Sequence, residues 1–103
     1  MVKNSTKETY TPEHIGALKK KHGDIFLYEA DGMTCILKRP NRTVISAASS
    51  VGTSDPLKFA EVILTNCWIE GDETLRTEDR YFLGLQQQIN ELVEIKVGKL
   101  KKL

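Results

Sequence analysis

A chain of 103 residues, 40% hydrophobic and 28% charged, has apolar material for one core and too little length for two. Its 15 basic and 14 acidic residues leave a net charge of +1, so no global field recruits nucleic acid or a membrane surface. No run approaches the roughly 18 apolar residues of a membrane span. The opening MVKNSTKETY also lacks the apolar stretch of a secretory signal, so the expected compartment is the cytosol.

Residues 1–9 are polar and aperiodic and read as a flexible leader, with the single domain expected over 10–103. Tyr10-Thr11-Pro12-Glu13 opens a helix: Thr11 caps the orphan N–H groups, Pro12 fits the first helical position, and Tyr10 and Ile15 are spaced as a hydrophobic staple. This helix runs to about His22. Lys19, Lys20 and Lys21 face the negative end of its dipole and Gly23 stops it, and its thin apolar content places it on the outside of the fold.

Two β-prone runs follow, Asp24–Ala30 and Met33–Arg39, separated by Asp31-Gly32. That dipeptide is the strongest short-range hairpin signal, because a type I′ turn needs positive φ at both central residues. The hairpin, over about residues 24–39, needs helices on one face; the other is expected to be exposed or covered by a partner. After Pro40, Asn41 is placed to cap a segment whose Val44, Ile45, Ala48 and Val51 form a helical stripe, although Thr43-Val44-Ile45 also suits a strand extension.

Asp55 and Pro56 start the densest apolar run of the chain, with a helical body over Leu57–Trp68. Phe59, Val62, Ile63 and Cys67 mark one face, and Leu57, Ala60, Leu64 and Trp68 the adjacent one. The arc is wider than a surface helix needs. Glu70-Gly71-Asp72-Glu73 reads as an acidic turn. The last helix opens near Thr77-Glu78-Asp79 and carries a stripe of Phe82, Leu85, Ile89 and Leu92, joined by Tyr81, Val93, Val97 and Leu100. Continued to Leu100 it would be about 35 Å long, against a radius of gyration of about 13 Å for a domain of this size. Residues 96–103 should therefore fray or project. The expected fold is α+β: one antiparallel hairpin against three or four helices, with a C-terminal helix.

Chemistry is sparse. Cys35 and Cys67 each sit inside an apolar pattern and read first as reduced core residues, with a disulfide or a reactive thiol as the other readings. His14, His22, Cys35 and Cys67 include no close ligand pair, so no metal site is expected. Ser46, Ser49 and Ser50 lack a nucleophile-elbow context. The acidic pairs fall at turns and helix starts, where capping explains them, and no Gly-rich phosphate loop is present. Residues 42–68 have the outline of a helix-turn-helix, but the second helix carries Lys58 and Glu61 on an otherwise apolar body and has no basic surface for a groove. The basic end Lys96, Lys99, Lys101, Lys102 reads as a solvated helix terminus before it reads as a docking tail. The expectation is a protein without catalytic residues or cofactor. The apolar faces of two helices then supply the candidate partner contacts: Leu57, Leu64, Trp68, Phe82, Leu85, Ile89 and Leu92.

Three stretches together carry a family resemblance: Leu37-Lys38-Arg39-Pro40-Asn41-Arg42 at the end of the hairpin, Val44-Ile45-Ser46-Ala47-Ala48, and the run from Asp55 to Asp72 that ends Cys67-Trp68-Ile69-Glu70-Gly71-Asp72. Over about residues 24–103 the chain resembles the small tail assembly chaperones of tailed bacteriophages and their prophage relatives. In that family a strand leading into Arg-Pro-x-Arg precedes a helix ending in a Cys-Trp/Val-x-x-Gly-like turn. The resemblance implies a non-enzymatic protein of the host bacterial cytoplasm, absent from the mature virion. It would bind tape measure protein and assist the tail tube protein, tend to self-associate, and often have a longer form made by ribosomal frameshifting. It implies no cofactor, nucleic acid or membrane. The reading from another class is a small helical interaction adaptor or regulatory module with no link to tails.

Overall fold

The structure, a computed structural model, describes residues 10–93 and 95–103. The flexible leader expected over residues 1–9 lies outside the described residues. In chain order the elements are α1 (Pro12–His22), β1 (Ile25–Ala30), β2 (Met33–Lys38), α2 (Arg42–Gly52), α3 (Pro56–Cys67), β3 (Trp68–Gly71), α4 (Thr74–Thr77), α5 (Asp79–Gln86) and α6 (Ile89–Leu92). This is an α+β domain whose antiparallel sheet has the order β1-β2-β3.

The local signals act as their chemistry requires. Thr11 accepts a hydrogen bond from the His14 N–H at 3.1 Å, Asn41 from the Val44 N–H at 2.9 Å, and Asp55 from the Leu57 N–H at 3.1 Å. Each satisfies one of the donors that a helix start leaves over. Asp31 (φ 50) and Gly32 (φ 79) both take positive φ at the hairpin turn, and the register runs from Ile25 opposite Lys38 to Ala30 opposite Met33.

β2 is the middle strand, buried on both faces. Met33, Cys35 and Leu37 point with Phe26, Tyr28 and Ala30 into the main core, where Ala48, Ala60, Ile63, Leu64, Cys67, Leu75, Leu85, Ile89 and Leu92 meet them. Ile36 points the other way, to a smaller cluster with Tyr10, Leu18, Ile15, Ile25 and Ile69. The second face of the hairpin, expected to be exposed or covered by a partner, is thus covered by α1. His14 fixes that cover, its Nε2 lying 2.8 Å from the Glu70 carboxylate on β3.

Two expectations for the second half give way. Glu70-Gly71 is not a turn: residues 68–71 form a third strand, Cys35 opposite Gly71 and Leu37 opposite Trp68. An irregularity between Ile36 and Leu37 makes Ile69 the extra residue, which leaves Trp68 against the main core and Ile69 beneath α1. The long final helix is also absent. Residues 74–92 form α4, α5 and α6, and residues 95–103 have neither helix nor strand. The break follows from packing. Leu85, Ile89 and Leu92 are all drawn into the core, and the Arg39 guanidinium donates to the Leu92 carbonyl at 3.1 Å, which closes α6 against the end of the hairpin. Arg39 also pairs with Asp24 at 3.1 Å and lies 4.7 Å above the Phe26 ring.

Candidate partner-binding surface

The apolar residues expected to meet a partner separate into three groups. Leu64, Leu85, Ile89 and Leu92 are no more than 4% exposed and belong to the core. Their stripe looked available because a straight helix would have left part of it outside. Trp68 is half-buried against the core, and Arg76 of α4 covers its ring at 4.4 Å while being held by both Glu73 carboxylate oxygens at 2.8 and 3.1 Å. Leu57 and Phe82 do come together. With Leu83 they form the apolar part of a groove between α3 and α5, of about 260 Å³, whose other lining residues are Glu61 and Asp79.

The groove exists because α3 spends its Ala60, Ile63, Leu64 and Cys67 side on the core and turns Leu57 and Glu61 outward. Leu85 anchors α5 from below, which leaves Leu83 on its outer side. Leu57 and Leu83 are 43% and 44% exposed. An apolar floor flanked by the Asp79 carboxylate, and by Glu61 with Lys58 paired to it at 3.3 Å, suits the apolar stripe of an amphipathic segment. Leu83, Glu61 and Asp79 are additions to the expected set. Leu83 lies off the regular stripe of the last helix, so periodicity did not single it out.

A second, smaller hollow of about 120 Å³ lies beside β1, between Phe26, Leu27 and Tyr28 on the strand and Leu85, Ile89 and Leu92 on the helices. A third recess is polar, lined by Lys21, His22, Lys38, Arg39 and Asn41 among others. The would-be recognition helix of the helix-turn-helix outline is α3, and its buried side belongs to the core.

Cys35 and Cys67 are free thiols at 0% exposure. Burial pushes Cys35 up to about 12, against a smaller lowering by Arg76, and Cys67 up to about 11, against Lys38. Burial likewise raises Tyr28, with Cys35 adding to it, and the hydrogen bond from the Tyr81 hydroxyl to Asp31, at 2.7 Å, is the main cause raising Tyr81. Among the described residues no three His, Cys, Asp or Glu side chains are grouped to hold a metal ion, and no helix is long and apolar enough to cross a membrane. No family model matches the chain, and no curated protein or solved structure shows detectable similarity to it.

Proposed function

We propose that the protein is a non-enzymatic tail assembly chaperone of a phage or prophage, which binds tape measure protein and assists tail tube assembly around it. The observation that carries this reading is the open groove formed by Leu57, Phe82 and Leu83 and flanked by Glu61 and Asp79. The resemblance over residues 24–103 supplies the identity of the occupant. Tape measure helices are long and amphipathic, and such a helix lays its apolar stripe into a groove of this kind.

The mechanism is shielding by exchange. The groove covers apolar surface of the client until the tube subunit offers a larger contact and displaces it, so the affinity has to be modest. A groove of a few exposed apolar side chains meets that requirement, because area on this scale lies below that of a stable permanent interface. The protein acts in the host cytoplasm and is left out of the finished virion.

The test is co-expression of the tagged chain with a tape measure fragment. The fragment is expected to gain solubility and co-purify, and a Leu57→Glu/Leu83→Glu double variant is expected to lose it while keeping the wild-type circular dichroism spectrum. A fragment that neither co-purifies nor gains solubility defeats the proposal. Gene order gives a second check: the gene is expected between those for the tube and the tape measure.

A further inference from the structure

Residues 95–103, IKVGKLKKL, extend past α6 as an arm whose Ile95, Val97, Leu100 and Leu103 are 75, 87, 102 and 116% exposed. Apolar side chains placed so far from any cover mark a segment that packs on something else. The same molecule has a surface with the matching form. β1 is one of the two edge strands of the sheet, the longer one, and Leu27 on it is 47% exposed. One face of β1 carries the hollow bounded by Phe26, Tyr28, Leu85 and Ile89; the other carries a hollow of about 140 Å³ bounded by Ile15, Ile25, Leu27 and Ile36.

We infer that the arm of one copy pairs along β1 of a second copy as a fourth strand of its sheet. Added strands place alternate side chains on opposite faces. In the arm Ile95 and Val97 share one face and Leu100 falls on the other, so one strand supplies apolar groups to both hollows. The lengths agree: at about 3.3 Å per residue the arm reaches about 30 Å, and β1 is about 20 Å long. The charges agree on one side: Glu91 lines the hollow beside Phe26 and Tyr28 and can meet Lys99, Lys101 or Lys102 of the arm, whereas Lys19 lines the hollow on the other face and offsets Glu29 there. Because the arm extends with its apolar groups uncovered on its own molecule, the receiving edge belongs to another. Each copy gives one arm and receives one on its β1, and reciprocal exchange between two copies closes a two-fold dimer. This inference stands independently of the tail-assembly reading.

The experiment is sedimentation equilibrium of the full chain, of an arm variant, Ile95→Asp/Val97→Asp, and of an edge variant, Leu27→Lys. All changes fall on exposed positions, and unfolding curves check that both variants stay folded. Wild type is expected to dimerise, with affinity falling as salt rises. Each variant is expected to weaken the dimer more than about tenfold, equal to about 1.4 kcal/mol. In the mixed pair the edge variant's sound arm meets the arm variant's sound edge while the second contact joins two altered partners, so mixing is not expected to restore wild-type affinity. A monomeric wild type whose melting temperature falls with the arm variant means the arm docks on its own molecule and overturns the proposal. So does a monomeric wild type indifferent to both variants, or a dimer that neither variant weakens.

Discussion

Gly71→Ala is the sharpest single perturbation of this fold. Gly71 has φ 147, and an added Cβ would sit 2.4 Å from both Cα and Cβ of Cys35 and 2.7 Å from the Thr34 carbonyl oxygen. The obstacles are backbone and a fully buried side chain, so no rotamer change relieves them. Forcing a non-glycine residue into this region costs about 1–3 kcal/mol, and overfilling a packed site costs about 1–3 kcal/mol more. The sum, about 2–6 kcal/mol, is a large part of the 5–15 kcal/mol that stabilises a typical domain. The cheapest escape is for β3 to lift away from β2. That would break the Cys35–Gly71 pairing and the hydrogen bond from the Asp72 N–H to the Thr34 carbonyl at 2.9 Å. Urea unfolding followed by fluorescence of Trp68, on the same strand, reads this directly. With a slope of about 1–3 kcal/mol per molar urea, the midpoint should fall by at least about 0.7 M. Gly16→Ala is the control of opposite sign. It lies inside α1 with nothing within 4 Å of an added Cβ, and should gain about 0.5–1 kcal/mol. A Gly71→Ala variant within about 0.5 kcal/mol of wild type, with an unchanged Trp68 spectrum, would refute the placement of β3.

Other outcomes follow from the core and the caps. Cys35 and Cys67 are held above an ordinary value of 9.0, so the native state favours their protonated form. The stability this gives is complete below about pH 9 and is lost as pH rises towards 11–12; urea midpoints should fall between pH 8 and pH 10.5, and less so in a Cys35→Ala/Cys67→Ala variant relative to its own pH 8 value. Asn41→Ala removes the α2 cap and should cost about 1 kcal/mol by the same urea assay. Leu75→Ala should cost about 2–5 kcal/mol, because this 0% exposed side chain fixes the short α4 to the core.

Much of the first half was legible because its determinants are local. Three caps, a proline in each of two first turns and an Asp-Gly turn act within a few residues of themselves, and they set α1, the hairpin, α2 and α3 close to their observed limits. β3 was not legible. Trp68-Ile69-Glu70-Gly71 shows no alternation long enough to read, and its partner strand lies more than 30 residues earlier in the chain. The break after Gln86 was hidden for the opposite reason: Gln86, Gln87 and Gln88 are good helix formers and the apolar stripe continues through them. Tertiary packing of Ile89 and Leu92 overrode that propensity. The same packing absorbed most of the excess apolar width of α3, which the sequence alone had left to a partner.

The break also decides how partner capture and self-association relate. A single helix over residues 77–100 would have offered one continuous stripe to both. With Ile89 and Leu92 turned inward, the groove of Leu57, Phe82 and Leu83 and the hollow beside β1 share no lining residue. Interactions at sites without shared partners act nearly independently. Leu57→Glu/Leu83→Glu should therefore abolish capture of a tape measure fragment and leave the sedimentation behaviour unchanged. Ile95→Asp/Val97→Asp should dissociate the dimer and change fragment capture per chain by less than about twofold, or about 0.4 kcal/mol. If each variant, still folded, depresses both readouts together, the two surfaces are coupled and a client would have to contact both copies at once. A fragment titration at protein concentrations above and below the dimer midpoint separates these outcomes. Independent surfaces give one binding constant at both concentrations, whereas coupled surfaces give tighter binding where the dimer prevails.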